Sequence, residues 1–331
     1  MRKILIICRG AGDLATGIIH RLHRAGYNVL ALETEHPAAI RRQVSFCEAV
    51  YEGTACIEGV TARRIDELSQ MQKVFDAGEI PLMVDPAGES IAQLHPDIVI
   101  DAIIAKKNLG TTIDMAPLVI GVGPGFTAGE DVHLVVESMR GHNLARIIDH
   151  GSALPNTGTP GNIGGYTSER VIHAPAAGYI HNIRAIGDVV EQGEEIARIY
   201  ENIPDKYIIG KECMQQADCV DTVCHRQSDD RKCIYNTHTD AYTDAYTGVY
   251  TSVYATIPGI IRGLIREGYH FPKGFKIADI DPRKSELSNC FTISDKARSI
   301  GGSVLEAVCA YATGVRRGES VHLANVHKLR A

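Results

Sequence analysis

The run Gly10-Ala11-Gly12-Asp13-Leu14-Ala15 has the residue types and spacing of a phosphate-cradling turn. Gly10 permits the tight turn, Gly12 lets backbone approach a pyrophosphate, and Ala15 stands at the close-packing position, where Gly or Ala serves. Glu33 falls where the acid that bonds a ribose hydroxyl belongs, roughly 20 residues on. Asp13 is atypical: a carboxylate there repels phosphate, although it suits a metal or a ribose hydroxyl. The chemistry implied is nucleotide binding on backbone N–H groups at a helix N-terminus. The alternative is the same fold with an empty or repurposed crevice.

Three more groups carry polar chemistry. Arg41-Arg42 can grip a phosphate or carboxylate, or form a solvated face. Gly123-Pro124-Gly125 can cradle an anion on its N–H groups, or be a tight structural turn. Asp281, Arg283, Asp295, Lys296 and Arg298 form a mixed-charge cluster beside Cys290: a polar ligand site, or a cap of local ion pairs. Nearby cations lower a thiol pKa and make Cys290 the candidate catalytic nucleophile; the alternative is a small buried hydrophobe.

The elements that must position these residues follow from periodicity. Ile4–Cys8 is an apolar, β-branched run suited to a strand buried on both faces. Ile18, Ile19 and Leu22 then recur at helical spacing until Gly26, and Asn28–Leu32 reads as a second strand. Leu82–Val84, Ile98–Ile104 and Leu118–Val122 fit further strands, with loop chemistry at their C-terminal ends, where ligands collect in open α/β sheets. The reading is an α/β chain with a Rossmann-like parallel sheet over residues 1–168.

The second half repeats itself. Residues 173–201 and 254–282 align without gaps at an offset of 81, matching Gly178 with Gly259, Gly187 with Gly268 and Gly193 with Gly274. Ile180, Ile183, Ile196 and Ile199 match Ile261, Leu264, Ile277 and Ile280 in the same register. Each copy resembles one half of a lipoyl- or biotinyl-type barrel-sandwich, and neither can bury its apolar face alone. Residues 169–202 and 253–283 are therefore expected to form one β-rich module, followed by a helical segment, 284–331. The intervening 203–252 is a low-complexity insertion whose Cys213, Cys219, Cys224 and Cys233 can close around zinc or an iron–sulfur cluster, or belong to a disordered stretch.

Whole-chain properties exclude several classes. The 331 residues suit two domains, and 44% hydrophobic with 22% charged residues is ordinary for a soluble protein. A net charge of -6, no tryptophan and 6% aromatics argue against a nucleic-acid partner. No apolar run reaches the roughly 18 residues that span a membrane, and the odd count of nine cysteines suits free thiols in the cytoplasm.

With these residues laid out, the chain resembles the YqeB family, accessory proteins of selenium-dependent molybdenum hydroxylase systems. The resemblance rests on Arg9 to Gly17, Arg41-Arg42, Gly123 to Phe126, Thr159-Pro160-Gly161, Asp281-Pro282-Arg283 and Thr292 to Arg298, and covers nearly everything except the insertion. The N-terminal part is also similar to XdhC/CoxI-type maturation factors. The resemblance implies a maturation factor that holds a nucleotide or molybdopterin dinucleotide during selenium or sulfur installation. Its partners would be the hydroxylase client and other maturation factors. An NAD(P)-dependent oxidoreductase is the second reading, weakened because no Ser/Tyr/Lys or His/Asp proton relay accompanies the fold. A non-catalytic scaffold is the third.

Overall fold

The computed structural model describes residues 4–158, 161, 163–202 and 248–314. The N-terminal unit is built on a nine-stranded sheet. Its strands are β1 (Leu5–Arg9), β2 (Asn28–Glu33), β3 (Thr54–Ile57), β4 (Val60–Ile65), β5 (Ile80–Val84), β6 (Ile98–Asp101) and β7 (Leu118–Val122), then, after a short β8 (Thr127–Ala128), β9 (Leu134–Val136) and β10 (Ile147–Ile148). Their order is β10-β9-β7-β6-β1-β2-β5-β4-β3, and the seven strands from β9 to β4 run parallel. Short β8 pairs instead with β11 (Gly151–Ser152). This is a Rossmann-like sheet whose chain order reverses at β1, between β2 on one side and β6 on the other. Sheets of this kind bind ligands outside the strand C-termini at that switch point.

Both faces of the sheet are covered. In β1, Ile6 and Cys8 face one apolar core while Ile7 faces another, the period-two alternation of a doubly buried strand. α2 (Ala49–Glu52) precedes the β3–β4 hairpin, while α3 (Met71–Asp76) and α4 (Glu89–Leu94) cover the Ile7 face. The Ile6 face takes α1 (Asp13–Arg24), joined by a helix from the far end of the chain, α5 (Asp295–Thr313). The connections β6–β7 and β7–β9 contain no α-helix, so α5 supplies the cover that crossover helices would otherwise give.

α1 and α5 run parallel and nearly touch. A Cβ on Gly17 would sit 2.7 Å from the Ala297 Cβ, and one on Gly301 would sit 2.6 Å from the Gly17 carbonyl oxygen. Only small residues allow that approach, which sets the two helix N-termini side by side.

The repeat forms two four-stranded antiparallel sheets around one apolar core. The strands are β12 (Val171–His173), β13 (Gly178–Asn182), β14 (Val189–Val190) and β15 (Glu195–Tyr200), then β16 (Tyr250–Tyr254), β17 (Gly259–Leu264), β18 (His270–Phe271) and β19 (Lys276–Asp281). One sheet is β12-β19-β17-β14 and the other β16-β15-β13-β18, so each sheet mixes strands from both copies. The 81-residue offset maps one sheet onto the other.

Matched glycines carry matched constraints. A Cβ at Gly178 would collide with the Tyr200 carbonyl oxygen, and one at Gly259 with that of Asp281, the residue 81 positions on from Tyr200. One apolar match differs. Leu264 is 1% exposed and its repeat partner Ile183 is 39% exposed, because only the second copy docks on the Rossmann-like unit. There the Leu264 N–H donates to the Ile40 carbonyl at 2.8 Å, Arg42 Nε donates to the Leu264 carbonyl at 2.9 Å, and Arg266 pairs with Glu48 at 2.9 Å.

Two outcomes follow. Gly178→Ala and Gly259→Ala should each destabilise the protein by about 2–4 kcal/mol, within about 1 kcal/mol of one another, because both carbonyls belong to paired backbone. Denaturant melts of the two variants check this. Tyr200 and Tyr250 are register partners across an antiparallel pair, so a short turn can replace 203–247 while sparing β16. That deletion should melt cooperatively and no less stably than the full chain, since a shorter connection between the paired strands costs less entropy to close; calorimetric scanning reads it.

Candidate functional site

The glycine turn leaves β1 and enters α1 as its spacing requires. Gly10 takes φ +94°, and a Cβ there would come within 3.0 Å of the Ala102 carbonyl oxygen at the end of β6. Gly12 is the N-cap of α1, with no side-chain cap and nothing within 4 Å of a Cβ built on it. Ala15 is buried in the core. Glu33 stands at the end of β2, but its carboxylate accepts the Ala11 and Thr34 N–H groups, each at 2.8 Å. Burial raises its pKa, and those two hydrogen bonds only partly offset the rise. Glu33 thus holds the turn's shape instead of standing free for a ribose.

The switch point itself carries a network that pattern reading did not single out. Arg9, buried at the C-terminal end of β1, donates to the Thr111 hydroxyl, which donates to Asp101 at 2.6 Å. The other Arg9 nitrogen reaches the Pro86 and Leu109 carbonyls at 3.3 and 3.4 Å. These contacts tie the loops after β5 and β6 across the sheet edge. The signal available was an arginine closing an otherwise apolar strand directly before the glycines.

The arginine pair proves to be a clamp. Arg41, 6% exposed, donates to Asp13 at 2.9 Å and to the carbonyls of Asn289 and Thr292 at 3.0 and 3.3 Å. Arg42 bonds the Leu264 carbonyl and lies 3.8 Å from Glu48. The expected phosphate grip gives way to joining the Rossmann-like unit, the repeat module and the C-terminal segment, because a buried guanidinium needs acceptors and these segments supply them. Gly123 and Gly125 likewise adopt φ +80° and +112° against Ser138 and Lys107, with no room for a Cβ. They form the tight structural turn.

The cluster at the C-terminal segment is drawn together into a cleft of about 350 Å³. Arg140, Arg262, Arg283 and Arg298 line it with Asp295, Asn289, Thr292, Ser294 and two isoleucines, Ile163 and Ile293. Asp295 grips Arg140 through two bonds of 2.8 Å, which hold its carboxyl well below the usual range. Asp281 is buried and takes Arg283 through two side-chain bonds of 2.9 and 2.8 Å. Burial alone would raise the Asp281 pKa, but the Arg283 hydrogen bonds bring it below normal. Asp279 holds Arg170 at 3.0 Å and lies 3.6 Å from Arg262. Burial and then the Arg41 charge depress the pKa of Arg262, whose Nε, like that of Arg41, is buried without an acceptor, while Asp13 Oδ1 is buried without a donor. Burial, then Arg140, lowers the Lys296 pKa, with Asp13 and Glu137 opposing. Asp13, through Arg41, therefore connects the start of α1 to Asn289 and Thr292 of the cleft, whose lining also takes in Ser294 and Asp295 at the N-terminus of α5.

Arg140 and Arg262 were not anticipated. Arg140 follows β9 alone in a loop, and Arg262 occupies an ordinary polar position of the repeat; neither has a local signature. Cys290 is corrected in the opposite direction. It is 1% exposed, packs in the repeat core with Sγ 3.9 Å from the Ile261 carbonyl oxygen, and burial pushes its pKa up to about 11 against the pull of Arg41 and Arg262. It is a core residue, not an activated thiol.

Among the described residues no group of three or more His, Cys, Asp or Glu is placed to hold a metal ion, and no helix is long and apolar enough to cross a membrane. Cys213, Cys219, Cys224 and Cys233 lie outside the described residues.

No protein-family model matches the chain. Among solved structures, the product-bound ectoine utilization protein EutE (DoeB) of Ruegeria pomeroyi is 7% identical, with 79% of this chain and 61% of that one covered at a TM-score of 0.22. An aspartoacylase family protein of Mesorhizobium loti is 10% identical, with 85% of each chain covered and a TM-score of 0.22. Likeness at that level carries no argument about fold or function. The uncharacterized protein YqeB of Escherichia coli K12 is 42% identical over 304 residues, which is 92% of this chain and 47% of that protein. The chain is, over the roughly half of that protein it spans, a member of the YqeB family.

Proposed function

We propose that this chain is an accessory factor in the maturation of a selenium-dependent molybdenum hydroxylase, and that it holds a nucleotide-bearing cofactor or precursor in the arginine cleft. The observation that carries the binding half of this reading is the convergence of four guanidiniums with the N-terminus of α5 in one cleft, to which Arg41 ties the start of α1 through Asp13. Helix N-termini and guanidinium forks both favour phosphate oxygens, and they reinforce one another at one mouth. The maturation half rests on the family resemblance. The two intertwined sheets of the repeat support reading that module as a barrel-sandwich hybrid, serving here as the wall that delivers Arg262 and Arg283.

Gly12 gives a clean test. Its φ of -69° suits any residue and a side chain there meets no protein atom, so Gly12→Val should fold with a loss of at most about 1 kcal/mol. Calorimetric titration with CTP, NAD and molybdopterin dinucleotide should show binding by the parent and at least a tenfold loss in the variant. Undiminished affinity in a folded Gly12→Val protein would remove the turn from the site.

The position of Cys290 makes a second outcome definite. With its pKa raised from an ordinary 9.0 to about 11, its thiolate fraction near neutral pH is about a hundredfold below that of an unperturbed thiol. Alkylation of the native protein should leave Cys290 unmodified while exposed Cys309 reacts, as peptide mass spectrometry would read, and Cys290→Ser should retain hydroxylase activation in cells.

A further inference from the structure

The cleft contains what phosphate recognition needs and lacks what ring recognition needs. Its four arginines come from four separate segments: the loop after β9 (Arg140), strand β17 (Arg262), the turn after β19 (Arg283) and helix α5 (Arg298). Three of them have a carboxylate beside them: Asp295, itself part of the lining, grips Arg140, Asp281 grips Arg283, and Asp279 lies 3.6 Å from Arg262. Arg298 has no ion-pair partner among the described residues and is exposed at the mouth. Buried Arg262 Nε still lacks an acceptor. The lining thus carries four guanidiniums against one carboxylate. The remaining described lining consists of one amide, two hydroxyls, one carboxylate and two isoleucines, with no aromatic side chain. A purine, pyrimidine, pterin or nicotinamide ring is usually held on an aromatic or guanidinium face or in an apolar slot. Here Arg140 and Arg283 commit guanidinium edges to hydrogen bonds with Asp295 and Asp281.

We infer that the cleft recognises the diphosphate group of its ligand by charge and hydrogen bonding, independently of the base, and leaves the organic ends outside. This rests on the reading of the cleft as the ligand site and adds the ligand class: diphosphate esters, with the bridging phosphates as the recognised unit. Because the four arginines span the Rossmann-like unit, the repeat module and the C-terminal helix, a bound diphosphate also locks those parts together.

The full chain, titrated calorimetrically with inorganic pyrophosphate, ADP, CDP, GDP and cytidine, tests this directly. Pyrophosphate and the three nucleoside diphosphates should bind within about threefold of one another, weaken together as salt is raised, and leave cytidine without measurable affinity. Arg298→Gln, at an exposed and unpaired position where folding is not at stake, should weaken all four diphosphates by about tenfold, with an unchanged melting temperature in the absence of ligand. Arg262→Gln should do the same or more. Binding of CDP without binding of ADP or pyrophosphate would overturn base-independence while leaving the cleft as the ligand site. Undiminished diphosphate binding by Arg298→Gln and Arg262→Gln would place the diphosphate elsewhere. Failure of every diphosphate and of molybdopterin dinucleotide to bind would overturn both readings.

Discussion

A single buried guanidinium decides how the three parts of this molecule meet. Arg41 lies out of water, and an arginine cannot escape the cost of burial by losing its proton. It must find acceptors, and it finds Asp13 at the start of α1 and two backbone carbonyls, of Asn289 and Thr292, in the segment leading into α5. Those bonds fix where the chain leaves the repeat module and where α5 begins. Gly17, Ala297 and Gly301 then let α5 lie against α1 almost backbone to backbone. The shared mouth of the two helices, and the placing of Ser294, Asp295 and Arg298 around it, follow from that one anchor.

The repeat module shows how internal symmetry is broken to make a site. Within the module the copies are equivalent strand for strand, down to the glycines that pass beneath the Tyr200 and Asp281 carbonyls. Its surroundings are not symmetric. Docking against residues 36–52 buries Leu264 and leaves Ile183 in solvent. Arg262 faces the cleft, while His181, its counterpart 81 positions earlier, bonds Glu267 at 3.0 Å on the far side. Of the two copies only the second lines the cleft, while the first completes the core that holds it.

The electrostatics of the cleft follow one design. Asp295 and Asp281 each hydrogen-bond a guanidinium, which they orient and partly neutralise, and Asp279 lies 3.6 Å from Arg262. The same logic explains Glu33. Its carboxylate sits on the Ala11 N–H and preorganises the turn, leaving the free amides of the α1 N-terminus at Gly12 as the open face.

Local order was legible in the amino-acid sequence because its causes are local. Strands β1, β2, β5 and β7, helix α1 and the turn at Gly10 follow from apolar periodicity and from the one residue type that tolerates the backbone found there. The repeat was legible because its glycines answer to contacts made identically in both copies. The hairpin Thr54–Ile65 and the short strands β9 and β10 were not, being too brief or too polar to show a period. The Asp281-to-Arg298 cluster was visible as charge, but its partners were not. Arg140 reaches Asp295 across 155 positions and Arg41 reaches Thr292 across 251, separations that no pattern of neighbouring residues encodes. The fate of Cys290 was open for the same reason: proximity in sequence put cations near its sulfur, and packing put it in the core, where desolvation outweighs them. Sequence alone determined which segments become strands, helices and matched halves, because those choices depend on neighbours along the chain. Only the tertiary structure decided which arginines clamp and which face the cleft, because a guanidinium's role depends on the acceptors that burial leaves within its reach.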